Sequence, residues 1–211
     1  MSTCPEWTEN IPSTNEPAFR STLDVVHQLV ARAASDLIDG HVPQVWHAIL
    51  FQRFVPLNYY AGNYRQESVD LPCLAVNVAV AGVPGFSFQD VGRAIEILFA
   101  WVFGQGVEIE QNWSRITPRQ RTILVAHWVA TIVGTFIRIH PFVNGNGRVS
   151  RLLWRWGLLR HNVPVQCQSF PRPAEPWYPQ VMSDAMRGSN DRLALQVIKH
   201  LSKFPPSPPS A

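Results

Sequence analysis

The feature that most constrains the fold is the stretch HPFVNGNGRVSR at residues 140–151, which separates two apolar runs, 122–139 and 152–159. Apolar runs of this kind are typical of buried helices. Pro141 prevents the first helix from continuing into the loop, because proline lacks an N–H and restricts the residue before it. The sequence therefore predicts a helix, a tight loop and a second helix.

The glycines of this loop suit it for binding an anion. Gly145 and Gly147 can take positive φ and come close to a ligand. The amides of residues 145–147, which include Asn146, are expected to face outward where the next helix starts, and the helix dipole favours negative charge there. Arg148 and Arg151 are three residues apart in the first turn of that helix. We expect both on one face, able to bind phosphate oxygens.

Two further side chains complete the loop. His140 is the one side chain there that can take up a proton near neutral pH. Phe142 has the size of a core anchor that would fix the loop to the domain. A proton acceptor beside a site for polyphosphate indicates transfer of part of a nucleotide to a hydroxyl group.

The stretch 140–151 resembles the signature of Fic domains, H-x-F-x-[D/E]-G-N-G-R-x-x-R. It departs from that signature at Asn144, where the family usually has an acid. A second stretch, WHAILF at 46–51 followed by YAGNYR at 60–65, is similar to the H-x-x-L-F and A-G-x-Y-R segments that precede the family's flap. Seven signature positions match: His140, Phe142, Gly145, Asn146, Gly147, Arg148 and Arg151.

The resemblance implies an all-α, Fic-like helical domain with one short β-hairpin flap. It also implies a protein adenylyltransferase, which moves AMP from ATP to a hydroxyl side chain of a target protein. In that reaction His140 is the general base. The amides of 145–147 form the anion hole, and Arg148 and Arg151 bind the β- and γ-phosphates.

Asn144 leaves the activity open. The family's acid at this position holds Mg²⁺, which proteins bind through carboxylates and substrate phosphates, and an amide oxygen brings no negative charge. The chain could hold Mg²⁺ weakly, mainly through the triphosphate, or use another nucleotide or phosphate donor. Alternatively, it is an inactive module that binds nucleotide or protein. The related Doc branch has Ala-Asn-Lys where this chain has Gly-Asn-Gly at 145–147, so a Doc-type kinase is the less favoured enzyme.

The segment 65–84 corresponds to the flap of the resembling family. Valines at every second position, Val76, Val78 and Val80, predict a short hairpin there. An exposed hairpin edge can pair with an extended chain, so the resemblance implies that the target protein docks at 65–84.

Regulation is expected to come from outside the chain. The family's inhibitory pattern is [S/T]-x-x-x-E-[G/N], and Glu9 is the one glutamate here that is followed by Gly or Asn. Pro5 stands four residues before it, so the pattern fails. We then expect either inhibition by a separate antitoxin chain, as in a toxin-like protein, or no inhibition.

Length and composition predict a single domain at 17–203, with a flexible segment at 1–16 and a disordered Pro/Ser tail at 204–211. A chain of 211 residues that is 46% hydrophobic suits one compact core. The net charge is only +3 and the basic residues are scattered, so nucleic acid is not an expected partner. The most apolar window, 122–137, is too short to span a bilayer, so no membrane association is expected.

The cysteines predict a reducing setting. Cys4, Cys73 and Cys167 are far apart and contain no Cys-x-x-Cys pair, so we expect neither a disulfide nor a zinc site. The N-terminus is polar, which is unlike a signal peptide. These observations favour a cytoplasmic protein.

Local patterns set the predicted helix boundaries. Gly40 and Gly104 are expected to follow the first and third helices, and Thr117 with Gln120 to form a capping box at the fourth. The predicted helices span 17–38, 43–54, 88–103, 118–139, 147–160, 176–187 and 190–202.

Overall fold

A computed structural model describes residues 4–7, 17–165 and 176–209, and within them the chain is almost entirely helical. Its one sheet there has two short antiparallel strands, β1 (Ala79–Val80) and β2 (Val83–Pro84). This confirms the all-α fold with one short hairpin. The helices are α1 (Pro17–Ala33), α2 (His41–Phe51), α3 (Phe88–Gln111), α4 (Pro118–Ile139), α5 (Asn146–Arg160), α6 (Trp177–Met186) and α7 (Asp191–Leu201).

Helix α4 is the centre of the domain and packs against α3, α5, α6 and α7. The prediction that this segment is too short to span a bilayer is wrong, because the helix has 22 residues and sufficient hydropathy. However, 61% of its most apolar window is buried inside the protein. Its apolar character is therefore explained by its position in the core.

Both ends of α4 are fixed by local chemistry. At the start, Thr117 Oγ1 accepts a hydrogen bond from the N–H of Gln120, and the Gln120 side chain accepts one from the N–H of Thr117. This confirms the predicted capping box. At the end, His140 adopts a left-handed conformation with φ 54° and ψ 57°, which terminates the helix and turns the chain into the signature loop.

Helix α3 runs through Gly104, so the predicted stop at this glycine and the predicted helix end at 103 are wrong. Gly106, two residues further along, is buried, and a Cβ there would lie 2.5 Å from Leu37 Cδ2. The glycine thus permits close packing of α3 against the segment that follows α1, and it does not end the helix. The chain leaves the helix only at Gln111 and continues as a 3₁₀ turn at Trp113–Arg115.

Helix α1 ends at Ala33, before the predicted residue 38. After the helix the chain makes a tight turn, in which the N–H groups of Ser35 and Asp36 donate to the carbonyls three residues earlier. Trp156 Nε1 donates to the Ala33 carbonyl at 3.0 Å, and Arg160 Nη1 donates to that of Ala34 at 3.3 Å. These contacts with α5 hold the chain at the point where the helix ends.

The hairpin is shorter than the valine alternation predicts. Ala79 pairs with Pro84 and Val80 with Val83, and the two turn residues, Ala81 and Gly82, have φ of 49° and 77°. Val76 does not join the sheet, because its carbonyl accepts a hydrogen bond from a side chain of the preceding loop.

The N-terminal segment contains the largest departure from prediction. Cys4 and Cys73 form a disulfide, so the prediction of no disulfide is wrong for this pair. The two cysteines are 69 positions apart, and no local spacing indicates that the fold brings them together. The argument from cysteines for a reducing compartment loses its basis. Cys167, residues 1–3 and 8–16 and the failed inhibitory pattern at Glu9 lie outside the described residues.

The tail expected to be disordered contacts the domain as far as it is described, over 204–209. The N–H of Ser207 donates to the carbonyl of His161 at 2.9 Å, and the Asn162 side chain donates to the carbonyl of Pro208.

Candidate active site

The signature loop is a six-residue connection between α4 and α5, residues 140–145, in which both ends have left-handed backbones. His140 ends α4, and Gly145, with φ 80°, begins α5. The N–H groups of Asn146 and Gly147 follow in the first turn of α5, where no earlier helical carbonyl can accept from them. These first-turn amides and the histidine therefore flank one short loop.

His140 has the protonation state of a base. Its Nδ1 lies 3.2 Å from the carbonyl oxygen of Ile137, and a carbonyl can only accept, so Nδ1 carries the hydrogen. Burial lowers the pKa of His140 to about 4; the hydrogen bond to Ile137 opposes this shift, and the charge of Arg65 adds to it. At neutral pH the imidazole is therefore uncharged, and Nε2 holds the lone pair that can accept a proton.

Arg65 holds the backbone around this histidine. The side chain is fully buried, and its guanidinium group donates to four main-chain carbonyls. Two of these acceptors belong to the end of α4: Nε donates to His140 at 2.8 Å, and Nη2 to Ile139 at 3.1 Å. The other two flank the hairpin: Val76 at 2.8 Å and Phe86 at 2.9 Å. A single cation thus binds the hairpin to the end of the helix.

The base of the hairpin lies directly against the histidine. A Cβ added to Gly85 would lie 3.0 Å from the Cβ of His140 and 3.5 Å from the carbonyl of Ile139. The strands themselves are mostly exposed. An extended segment that paired with this edge would therefore lie beside His140.

Phe142 fixes the loop to the core. Its ring is fully buried and stacks on His47, with ring centroids 3.7 Å apart. His47 accepts from the N–H of Gly62 at Nδ1, at 2.9 Å, so its Nε2–H is the group that donates to the carbonyl of Asn144 at 3.0 Å. Burial lowers the pKa of His47 to about 3, which keeps it neutral in this bridging role.

The side chain of Asn146 closes the loop on itself. It accepts from the N–H of Phe142 and donates to the carbonyl of Phe142, both at 2.9 Å. Because the side chain is buried and used in this way, only the main-chain N–H of Asn146 remains for an anion.

The two glycines of the loop differ in their roles. Gly145 has the expected positive φ, and a Cβ there would lie 2.5 Å from Phe51 Cε2 and 3.0 Å from His47 Nε2. Gly147 does not have a positive φ. It lies in the helical first turn, and an added Cβ would make only an ordinary contact with Arg151. The prediction of positive φ is thus wrong for Gly147.

The two arginines of the signature contact different parts of the domain. The guanidinium of Arg148 lies over the rings of Phe19 and Phe51, at 5.2 and 5.7 Å. Arg151 Nη1 donates to the hydroxyl of Tyr178, in α6, at 3.3 Å. Both cations lie near the start of α5, and their binding to the phosphates of one ligand stays a prediction.

Both polar atoms of the Asn144 side chain are engaged within the protein. Its Oδ1 accepts from the N–H of Gly145 at 2.7 Å, and its Nδ2 donates to the carbonyl of Trp7 at 3.1 Å. Asn144 was the predicted position for a weakly held metal. The described residues contain no group of three or more His, Cys, Asp or Glu side chains placed for a metal ion.

Comparison with known proteins decides the family. The family model for the Fic/DOC family matches residues 41–158, more than half of the chain. The chain belongs to the Fic/DOC family. The solved structures similar to it include a Fic domain containing signaling protein from Bacteroides thetaiotaomicron VPI-5482, with a TM-score of 0.56 and 18% identity. That match covers 88% of this chain and 67% of the other, and it shows the shared fold. A search of curated proteins finds no match.

Three residues that build the Fic site were not recognised from the sequence. Arg65 lies in the YAGNYR segment and His47 in WHAILF, so the sequence indicates these segments but not the contacts that their side chains make. Trp7 carries no sequence signal, because its partners are far away along the chain.

Proposed function

We propose that this Fic protein transfers AMP from ATP to a hydroxyl side chain of another protein. The observation that carries the proposal is the hydrogen bond of His140 Nδ1 to Ile137, which leaves Nε2 as a proton acceptor. A base of this kind beside helix-start amides suits attack of a hydroxyl on a phosphate.

The proposed step is a displacement at the α-phosphorus. The acceptor hydroxyl gives its proton to His140 Nε2 while its oxygen bonds to the α-phosphorus, and the bond to the leaving pyrophosphate breaks. The amides of 145–147 bind phosphate oxygens, and Arg148 and Arg151 neutralise the charge on the leaving group. Chemistry of this type depends mainly on positioning and charge.

We further propose that the hairpin at 79–84, within the predicted flap at 65–84, receives the target protein. Its strands are exposed, and its base contacts His140 through Gly85. A target segment that added a strand there would place a side chain next to the base. Arg65 has a positioning role, because it holds the carbonyls of His140, Val76 and Phe86 together.

The residues at the loop do not fit a protein-held Mg²⁺. Asn144 lacks the charge that such an ion requires, and both of its polar atoms already make hydrogen bonds. A divalent ion would therefore be carried by the phosphates of ATP, and the proposed step relies on protein groups alone.

A second candidate function is binding of nucleotide or protein without transfer. It is favoured by the contact of Asn144 Oδ1 with the N–H of Gly145, because this hydrogen bond uses one of the three amides of the anion site. The target protein and an antitoxin chain are expectations from the resemblance. A cytoplasmic location was expected from the cysteines and the polar N-terminus, and all three stay proposals.

One labelling experiment separates the two candidates. The protein is incubated with a cell lysate and ATP labelled at either the α- or the γ-phosphate. Transfer of AMP labels protein only from α-labelled ATP, and His140→Ala abolishes it. Label from the γ-position that exceeds that of the lysate alone, with none from the α-position, would indicate a kinase. Binding of ATP in calorimetry without either label would support the binding module.

A further inference from the structure

The N-terminal residues Cys4–Trp7, here called the strap, lie across the wall of the signature loop. The disulfide joins Cys4 to Cys73, and the hydroxyl of Tyr60 donates to the carbonyl of Pro5 at 3.1 Å. The Trp7 ring is 8% exposed and packs against three aromatic rings, with centroids at 5.4, 5.8 and 6.2 Å: those of Phe51, His47 and Tyr60. The strap is therefore anchored at both ends.

The strap reaches the candidate anion site through one side chain. The carbonyl of Trp7 accepts from Asn144 Nδ2, and Asn144 Oδ1 accepts from the N–H of Gly145. The left-handed backbone of Gly145 and its packing on Phe51 fix the direction of that N–H. For the amide to bind a ligand, the Asn144 side chain must move, and the strap opposes this movement.

The residue type at 144 matches this contact. The bridge needs a side chain that donates at one end and accepts at the other, and an amide does both. A carboxylate would face the carbonyl of Trp7 with no hydrogen to donate. The structure thus explains why asparagine suits this position in a chain that has the strap.

We propose that the strap is a redox-controlled latch, which in the disulfide form holds Asn144 on the Gly145 amide and in the dithiol form releases that amide for an anionic ligand. The latch depends on the proposed function in one respect only: that function identifies the ligand as a nucleoside triphosphate. It does not involve the glutamate of the family's inhibitory pattern.

The chemical step is thiol–disulfide exchange with an external dithiol. A thiolate of the dithiol attacks one sulfur of Cys4–Cys73, the S–S bond breaks and a mixed disulfide forms. The second thiolate of the dithiol then displaces the protein sulfur. The protein gains two electrons and two protons, and the dithiol becomes a disulfide. Cys4 is exposed and Cys73 is half-buried, so a reductant can reach the bond.

Hydrogen exchange tests the latch without any ligand. Amide exchange of a peptide containing residues 143–147 is measured by mass spectrometry for oxidised protein, for protein reduced with dithiothreitol, and for Cys4→Ser. We expect faster exchange in the last two. Cys167→Ser is the matched control, because it removes a cysteine and keeps the disulfide, so it should behave as oxidised wild type. Equal exchange in oxidised and reduced protein, or no disulfide by mass in oxidised protein, would overturn the latch.

Calorimetry with ATP then tests the consequence for binding. Reduction and Cys4→Ser should each raise ATP affinity about tenfold, the change expected when one hydrogen bond to a charged phosphate becomes available. Trp7→Ala, which keeps the disulfide and removes the buried anchor, should give a similar rise. General loosening of the domain would instead lower the affinity, and this result or no change would overturn the latch. If exchange rises but no form binds ATP, the latch is retained and the proposed function fails.

Discussion

Arg65 donates a hydrogen bond from Nε to the carbonyl oxygen of His140, at 2.8 Å, and this joins the candidate base to the hairpin. The same guanidinium binds Val76 and Phe86 on either side of the strands. A cation at the end of α4 is also favoured by the helix dipole. Burial lowers the pKa of Arg65 only to about 10, so it remains charged at neutral pH.

Arg65→Met should destabilise the protein by about 3–5 kcal/mol, because it leaves buried carbonyl groups without donors. Arg65→Lys keeps the charge but offers fewer directed donors, so it should lower the free energy of unfolding by a smaller amount. The free energy of unfolding is measured in urea. Arg93→Met, at an exposed position of α3, is the control and should change stability little. A loss for Arg65→Met no larger than that of the control would contradict the bracing role.

His140→Ala should reduce AMP transfer by about a hundred- to ten-thousand-fold and leave ATP affinity nearly unchanged. Because burial and the charge of Arg65 lower the pKa of His140 to about 4, the imidazole is already neutral at pH 5. Activity limited by this base should therefore stay level from pH 8 to about 5 and fall only at lower pH. A pH–rate profile with a half-maximal point near 6.5 would be inconsistent with this assignment.

Arg151→Gln should weaken binding of ATP more than binding of AMP, because a guanidinium aimed at the terminal phosphates has no partner on AMP. Calorimetry with both nucleotides measures the difference. Tyr178→Phe is a matched control: it removes the hydroxyl that contacts Arg151 and keeps the cation. Equal losses for the two nucleotides in Arg151→Gln would indicate a packing role.

Asn144→Asp should combine two effects at one position. It removes the donor to the Trp7 carbonyl, which weakens the strap, and it supplies the carboxylate that attracts a divalent ion beside phosphates. We expect ATP affinity to depend more steeply on Mg²⁺ concentration in this variant than in wild type. Trp7→Ala weakens the strap without adding charge and should lack that steeper dependence. The same Mg²⁺ dependence in all three proteins would exclude a metal role for the position.

The buried histidines predict that the protein loses stability in acid. Burial lowers the pKa values of His47, His140 and His161 to about 3, 4 and 3, while an unfolded histidine titrates near 6.5. The unfolded chain therefore binds more protons below pH 6.5, and stability present above that pH is lost as the pH falls towards the folded values. Each histidine contributes up to roughly 1.4 kcal/mol per pH unit.

His161 offers the cleanest test of this acid sensitivity. It is buried and stacks on Trp113, and neither ring nitrogen has a hydrogen-bond partner among the described residues. His161→Leu should keep or raise the stability at pH 7.5 and make the urea midpoint less dependent on pH between 6.5 and 4.5. An unchanged dependence on pH would show that His161 does not titrate on unfolding.

The features predicted correctly are those whose cause is local in the chain. The capping box needs only Thr117 and Gln120, three positions apart, and the signature loop needs one contiguous stretch. The helix order follows from apolar periodicity. The sequence predicts these features because the interactions that create them connect residues close together in the chain.

The features that sequence reasoning missed depend on contacts between distant residues. Gly104 was read as a helix stop, but packing of α3 near Gly106 on Leu37 outweighs the low helix propensity of glycine. The disulfide joins positions 69 apart, and the contact of Asn144 with Trp7 joins positions 137 apart. The chemical type of Asn144 was visible in the sequence, but the partner that gives it a role was not.

The contacts of α4 extend beyond the part of the chain that matches the family model. The family match ends at residue 158, before α6 and α7, yet both of these helices cover α4. Ile137 near the end of α4 is buried against Ala185 and Met186, which lie in α6. A fragment limited to 41–158 would present this apolar surface to water and would be prone to aggregation. The residues that match the family model are therefore fewer than the residues needed to cover the apolar surface of α4.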